Sequence, residues 1–309
     1  MSAFNCLITS CQSDGDRAVP QHNDRPSGCP VEIVAHRAAS IEVSENTLAA
    51  VELAWRLNAD AVEIDVQLTR DGQLAVIHDA TLTRTAGIDQ NVSDVDMSEL
   101  RTIDVGSWKD ERWREETIPE LPNILATIPN GRRLFVELKG GEIEATHPAI
   151  VSALQHDLCE SNSAPESVVL ISFYPALLCA AKQALPEFDA LLVVQQQPVP
   201  DDSEATSKDA GKRSNSRWDP SIDEIIDVAV SSNFNGVDLS NTAAVTPETI
   251  AQVRQAKLAS CIWTVNTVAD ARRLIATGVD SLTTDDPRTL LTALQASNGS
   301  FGRFPPAKP

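Results

Sequence analysis

The sequence Ala61-Val-Glu-Ile-Asp-Val-Gln-Leu-Thr-Arg-Asp-Gly-Gln-Leu-Ala-Val-Ile-His-Asp79 contains two apolar, strand-like runs, 61–68 and 74–77. Only about six residues separate these runs, whereas a parallel crossover between two strands needs roughly a dozen. The two runs are therefore predicted to form an antiparallel hairpin, with its turn at Arg70-Asp71-Gly72.

Folding back at this turn places His78 roughly opposite Ile64, beside Glu63 and Asp65. Alternation along a strand puts both carboxylates on one face, and the surrounding run is so apolar that bare charges there would be costly. Two carboxylates this close repel each other unless a cation or a proton lies between them. The hairpin thus predicts a histidine beside a charged pair of acids.

Strand-like runs alternate with helical patterns from residue 31 onward. There are nine such runs, and because one is the second half of the hairpin, eight remain for a parallel sheet. This number of βα units favours an α/β fold, a closed (β/α)8 TIM barrel, over an open doubly wound sheet. The strand-like runs are 31–35, 61–68, 74–77, 134–138, 168–173, 190–194, 235–239, 260–265 and 279–284. The helical patterns are 45–57, 97–103, 119–128, 147–158, 175–184, 221–232, 247–257, 268–276 and 286–295.

The barrel is predicted to span residues 31–296. Residues 1–30 are polar and aperiodic, which is typical of a flexible N-terminal extension, and residues 297–309 form a C-terminal tail. Residues 80–118 are a small insertion after the hairpin, and residues 195–220 a polar, flexible loop. The loop is interpreted either as a lid over the barrel mouth or as an exposed insertion.

The charge balance of the 309-residue chain limits its partners. It has 25 basic and 44 acidic residues, a net charge of -19, which repels nucleic acid and anionic bilayers. We therefore expect no nucleic-acid partner and no stable membrane association, while the oligomeric state stays open. Six cysteines without a C-x-x-C spacing suggest reduced thiols and a cytoplasmic location. A faint lipoprotein-like box ends at Cys11 but lacks the flanking features of a signal.

Two histidines are candidates for acid/base catalysis. His36 ends the first strand-like run, at the end of a barrel strand where enzymes of this fold carry their catalytic groups. Alone it would be interpreted as a core or capping histidine. Because Arg37 follows it and the hairpin brings in His78, a catalytic pair is the better interpretation.

A third carboxylate, Glu137, ends a later strand and joins Glu63 and Asp65. Three carboxylates at strand ends suit Ca²⁺ or Mg²⁺, which prefer oxygen ligands. Lys139, two residues further, can either neutralise charge on a phosphoryl group or simply balance the carboxylates. The sequence therefore predicts a divalent-cation site.

Two further residues are predicted to reach the barrel mouth. Ser44 is a natural N-cap for the helix expected near residue 45, which explains much of the Ser44-Glu45-Asn46-Thr47 cluster, although Glu45 can still contact a substrate. Trp263 ends a late strand and is expected either to line the substrate site or to pack in the core.

The motifs together resemble the glycerophosphodiester phosphodiesterases, whose barrel is similar to that of phosphatidylinositol-specific phospholipase C. The resemblance covers about residues 32–293. It departs at Ala38, where the family usually has glycine, and at Ser44, where proline is frequent. The seven elements that carry it, in order, are His36-Arg-Ala38, Glu45-Asn-Thr47, Glu63-Ile-Asp65, Asp71 to Asp79, Glu137-Leu-Lys139, Trp263 to Asn266 and Thr284-Asp-Asp-Pro287.

The resemblance implies an enzyme that uses Ca²⁺ or Mg²⁺ to hydrolyse small glycerophosphodiesters to sn-glycerol 3-phosphate and an alcohol. It implies a metal site of Glu63, Asp65 and Glu137, an acid/base pair of His36 and His78, and phosphate contacts from Arg37 and Lys139. Two alternatives stay open. One is a phospholipase D-like or other phosphodiesterase, and the other is a non-catalytic phosphodiester-binding barrel in which Ala38 has cost the activity.

Overall fold

The computed structural model describes Cys29, residues 31–199 and residues 218–298. Eight parallel strands close into a barrel, because each pairs with the next and the last, β11, pairs with β1. The predicted (β/α)8 barrel is confirmed. The strands are β1 (Glu32–Ala35), β2 (Ala61–Leu68), β3 (Leu74–Val76), β4 (Arg133–Leu138), β5 (Val168–Ser172), β6 (Asp189–Val194), β7 (Gln197–Pro198), β8 (Trp218–Asp219), β9 (Gly236–Ser240), β10 (Ala259–Trp263) and β11 (Ser281–Thr284).

Helices follow the barrel strands and bury an apolar face against them. No helix within the described ranges is both long enough and apolar enough to span a membrane. The helices are α1 (Leu48–Arg56), α2 (Thr83–Ala86), α3 (Met97–Leu100), α4 (Leu121–Leu125), α5 (His147–Glu160), α6 (Pro175–Ala184), α7 (Ile222–Ser231), α8 (Pro247–Gln255), α9 (Val268–Thr277) and α10 (Pro287–Asn298).

The predicted hairpin is also confirmed. Strand β3 runs antiparallel to the end of β2, with Val66 opposite Val76, and the backbone N–H of Ile77 donates to the carbonyl of Asp65 at 3.0 Å. The same register carries His78 opposite residue 64. Strand β1 pairs only with the first two residues of β2, Ala61 and Val62. The same edge of β2 is therefore open further along, and β3 pairs there.

The insertion has a small apolar core of its own under the hairpin, which includes Leu82, Met97 and Leu100. Part of the predicted loop is ordered as the β7–β8 pair. The predicted N-terminal extension, the middle of the loop and the end of the C-terminal tail lie outside the described residues, and their flexibility stays a prediction.

The start of α1 corrects one expectation. Thr47, not Ser44, is the N-cap, and its hydroxyl oxygen accepts from the backbone N–H of Ala50 at 3.3 Å. The hydroxyl of Ser44 donates to the carbonyl of Val105 and accepts from Trp108 Nε1, 2.9 Å away. The capping prediction for Ser44 is wrong, because this side chain fastens the insertion to the loop after β1.

Candidate active site

Three acidic side chains meet where the end of β4 lies beside the middle of β2. Asp65 and Glu137 are neighbours in the β2–β4 register, and Glu63 lies two residues before Asp65 on the same face. One oxygen from each carboxylate lies within 4.8 Å of the others, and all three residues are buried. The three carboxylates predicted from the sequence therefore form one cluster.

Two of these acids are costly to ionise as they stand. Glu63 Oε2 accepts the backbone N–H of Arg37 at 2.8 Å, but the buried Oε1 has no hydrogen-bond partner among the described residues. Burial and the charges of Asp65 and Glu137 raise the pKa of Glu63 well above its usual value. Burial and Asp65 likewise raise the pKa of Glu137 to about 7. A hard cation at this point would remove both costs, so the donor set fits Ca²⁺ or Mg²⁺.

Asp65 differs, because cations and donors surround it. Although burial raises its pKa, the charges of Lys139 and Arg37 more than offset this, and the pKa of Asp65 falls well below its usual range. Lys139 Nζ is 3.0 Å from Asp65 Oδ1 and also pairs with Glu137. Asn46 Nδ2 donates to Asp65 Oδ2 at 2.8 Å. Lys139 thus balances the carboxylates, and its predicted phosphate contact stays a prediction.

The hairpin presents His78 beside this cluster. Its Nδ1 is 2.6 Å from Oδ1 of the adjacent Asp79. Burial lowers the pKa of His78, and although Asp65 opposes this, the charge of Lys139 adds to the lowering. The imidazole is therefore favoured in its neutral form near pH 7, as a general base requires.

His36 is held in the same way from the far end of the chain. Because β11 pairs with β1, Thr284 lies beside Ala35, and the next residue, Asp285, places Oδ1 2.6 Å from His36 Nδ1. Asn266 Nδ2 donates to the other oxygen of Asp285 at 2.6 Å. Each histidine thus uses Nδ1 for a carboxylate, which leaves Nε2 to exchange a proton.

Arg37 and Ala38 turn the chain inward after His36 through left-handed backbone angles, with φ of +50° and +67°. Arg37 donates from Nη1 to Glu45 Oε1 at 3.0 Å, and its Nε is 3.5 Å from Asp65 Oδ2. A left-handed alanine costs about 1–2 kcal/mol more than a right-handed one, which explains why glycine suits position 38. The Ala38 methyl is fully buried and packs with the apolar core.

Trp263 lies at the end of β10 and is half-buried. Its ring meets Phe173 edge to face, with centroids 5.3 Å apart, and Nε1 donates to the carbonyl of Asp238 at 3.2 Å. Both earlier interpretations, wall and core, are compatible with this position, and its substrate contact stays a prediction.

Five polar residues join the site that sequence reasoning did not assign. Four of them contact a predicted site residue through a hydrogen bond, and the fifth, Asn266, contacts Asp285. Four of the five stand inside motifs that were visible in the sequence. They are Asn46, Asp79, Arg84, Asn266 and Asp285.

The fold and the polar residues at its strand ends define a (β/α)8-barrel enzyme. The sequence model of the glycerophosphoryl diester phosphodiesterase family matches residues 36–289. The chain belongs to this family.

Individual relatives agree. A glycerophosphodiester phosphodiesterase of Caldanaerobacter subterraneus is 31% identical over 264 residues, 85% of this chain and 97% of the relative. A lysophospholipase D of Mus musculus is 43% identical, but over only 79 residues, 26% of this chain and 24% of the relative. Among solved structures, an Oleispira antarctica phosphodiesterase in complex with the product sn-glycerol-3-phosphate is similar with a TM-score of 0.72 and 25% identity, covering 85% of this chain and 96% of that one.

Proposed function

We propose that this protein hydrolyses small glycerophosphodiesters to sn-glycerol 3-phosphate and an alcohol. One observation carries the proposal: a cluster of three buried carboxylates lies beside two histidines that are each oriented by an aspartate. The names of the relatives support the same reaction. The cytoplasmic location predicted from the cysteine pattern remains a prediction.

Glu63, Asp65 and Glu137 are the residues that would hold a divalent cation. The unpartnered Oε1 of Glu63 is the specific feature that fits one. When bound, such a cation supplies a Lewis acid that polarises a phosphoryl oxygen. Ca²⁺ and Mg²⁺ both prefer these oxygen ligands, so titration with each ion must decide between them.

His78 is suited to remove the proton from the nucleophile, because its lowered pKa keeps the imidazole neutral near pH 7. The nucleophile is water or the neighbouring glycerol hydroxyl, and its oxygen forms the new bond to phosphorus. Attack by water gives sn-glycerol 3-phosphate directly, whereas attack by the hydroxyl gives a cyclic phosphodiester, which a water molecule must then open to the same product. His36 then gives a proton to the leaving alkoxide as its bond to phosphorus breaks. Asp285 supports this role by stabilising the protonated ring.

Arg37 and Lys139 are the cations available to the phosphate. Their side chains are only 21% and 13% exposed, and both contact Asp65, so water screens their charge weakly. Both cations would stabilise the negative charge that develops on the phosphoryl oxygens in the transition state. Glu45 fixes the Arg37 guanidinium, and Trp263, at the end of β10, is proposed to supply an aromatic wall.

The test is release of glycerol 3-phosphate from glycerophosphocholine, glycerophosphoethanolamine and glycerophosphoglycerol, each with Ca²⁺, Mg²⁺ or chelator. We expect metal-dependent release, and a loss of about 100-fold or more in kcat for His36→Ala and for His78→Ala. His156→Ala, at an exposed position in α5, is the matched control. Release that persists in both catalytic variants, or in chelator, would contradict the proposal.

Lysophospholipase D is a second candidate activity, because the segment shared with the mouse enzyme has the highest identity of the relatives described above. Lysophosphatidylcholine, assayed beside glycerophosphocholine, separates the two. A preference for the lysolipid in kcat/KM would favour the second candidate.

A further inference from the structure

Arg84, in helix α2 of the insertion, reaches two carboxylates of the site at once. Its Nε and Nη2 donate to the two oxygens of Asp79 at 2.7 and 3.1 Å. Its Nη1 and Nη2 donate to the two oxygens of Glu45 at 2.8 and 2.7 Å. The guanidinium also lies over the Trp108 ring, 5.5 Å from its centroid. Four of its five N–H donors therefore have a partner, although 38% of the side chain is exposed.

These two carboxylates bind the proposed general base and the proposed phosphate ligand. Asp79 binds Nδ1 of His78, and Glu45 binds the guanidinium of Arg37. A continuous chain of charge-assisted hydrogen bonds thus links the proposed base to the proposed phosphate ligand, and Arg84 is its central member.

The geometry of Arg84 distinguishes it from an ordinary surface ion pair, which contributes little to stability. Both contacts are two-pronged, and only a planar guanidinium can make two such forks together, so lysine cannot replace it. The hydrogen bonds to Glu45 and Asp79 raise the pKa of Arg84, and the Arg84 hydrogen bond helps to lower the pKa of each carboxylate. All three groups stay charged at neutral pH.

We propose that Arg84 is a positioning residue of this enzyme. It fixes Asp79 and Glu45, and through them it orients the His78 ring and the Arg37 guanidinium. The inference rests on the proposed function, because it assigns Arg84 a positioning role in the same reaction.

The insertion does not need Arg84 in order to dock. The hydroxyl of Ser44 is bonded to both Val105 and Trp108, and the insertion has its own apolar core. Loss of Arg84 is therefore expected to disturb the orientation of side chains at the site more than the fold of the segment.

The experiment compares Arg84→Lys and Arg84→Ala with Arg70→Ala. Arg70 makes an equally two-pronged pair with Asp96 of the insertion but contacts no residue of the site. We expect both Arg84 variants to keep the wild-type melting temperature within a few degrees and to lose about 10–100-fold in kcat/KM, as for other partners of working side chains. Arg70→Ala should keep full activity.

A double-mutant cycle separates positioning from a general structural role. If Arg84 acts through Asp79, then Asp79→Asn with Arg84→Ala should be little worse in kcat than Asp79→Asn alone. Arg84→Ala should also raise KM, which Asp79→Asn should not, because Arg84, unlike Asp79, also binds Glu45, which holds Arg37. A structural role would instead lower kcat in step with the folded fraction and leave KM unchanged.

Three results would overturn the inference: wild-type kcat and KM in folded Arg84→Lys or Arg84→Ala, additive effects in the cycle, or an equal loss in Arg70→Ala. If Arg84→Ala does not fold, the lysine variant alone decides. A wild-type enzyme that releases no glycerol 3-phosphate would instead refute the proposed function.

Discussion

The imidazole of His36 is held by Asp285, with Nδ1 2.6 Å from Oδ1, although 249 positions separate the two residues in the sequence. Closure of the barrel makes this contact, because it places β11 directly beside β1. Asn266 fixes the second oxygen of Asp285, so the carboxylate has one orientation. The pair therefore determines both the tautomer and the direction of the His36 ring.

Asp285→Asn should lower kcat by about 100-fold or more and change KM little, because an amide can hold the ring but cannot stabilise the imidazolium. Steady-state kinetics of glycerol 3-phosphate release measure this.

The matched control is a substitution of the adjacent residue, Asp286. Asp286 accepts the backbone N–H of Thr289 at 3.0 Å near the start of α10, and asparagine caps a helix about as well as aspartate. Asp286→Asn is expected to behave like the wild type. Equal losses in the two variants would show that the segment matters only for folding.

Glu63→Gln should separate activity from stability. We expect the variant to lose metal-dependent turnover, yet to melt at a higher temperature than the wild type in chelator, because it removes a buried carboxyl whose pKa is raised well above normal. Each unit by which a pKa is raised costs roughly 1.4 kcal/mol of stability at a pH above it. Differential scanning calorimetry in chelator and in excess cation measures the effect.

Glu52→Gln, at an exposed position in α1, should change neither property. A Glu63→Gln variant that melts lower than the wild type in chelator would mean that the carboxylate has a stabilising partner, and would weaken the case for a cation at this position.

The hairpin could be predicted from the sequence because its cause is local. The number of residues between the two runs allows only an antiparallel return, and that return fixes His78 against Glu63 and Asp65. Glu137 could be predicted because the ends of neighbouring parallel strands meet at one edge of the barrel.

The partner of His36 could not be predicted, because it depends on where a distant loop arrives after the barrel closes. Asp285 stood inside a motif visible in the sequence, but nothing local pairs it with His36. The predicted N-cap of α1 was wrong for a related reason. Ser44 and Thr47 are both good caps three residues apart, and only the left-handed turn at Asn46 leaves Thr47 at the helix start.

The stability of the metal-free protein should depend on pH through Glu137. Its pKa is about 7 in the folded protein against a usual 4.5, so between these values the folded state holds a proton that the unfolded chain has released. The free energy of unfolding therefore falls as pH rises through this window. Cation binding needs the ionised carboxyl, so stabilisation by Ca²⁺ or Mg²⁺ should grow over the same window.

Melting temperatures at pH 5, 6, 7 and 8, in chelator and in each cation, test this linkage. The control is Glu137→Gln, because the effects of other titrating groups on the melting temperature cancel when the variant is compared with the wild type. The variant should show a flatter profile in chelator and little gain from cation. A cation-induced shift in the wild type that is the same at pH 5 and pH 8 would contradict the expected linkage.

Asn46 combines two functions that substitution can separate. It adopts a left-handed backbone with φ of +58°, and its amide brackets Asp65, donating to Oδ2 at 2.8 Å and accepting the backbone N–H at 3.2 Å. Asn46→Gly keeps the backbone conformation and removes the side-chain amide. We therefore expect kcat/KM to fall about 10–100-fold and the cation concentration needed for half-maximal activity to rise. Asn46→Ala adds about 1 kcal/mol of backbone strain and should also melt lower than the glycine variant. Asn162→Gly, at an exposed left-handed asparagine, should have no effect on activity. Full activity in Asn46→Gly would show that Asp65 is positioned without the amide, by Lys139 and the backbone alone.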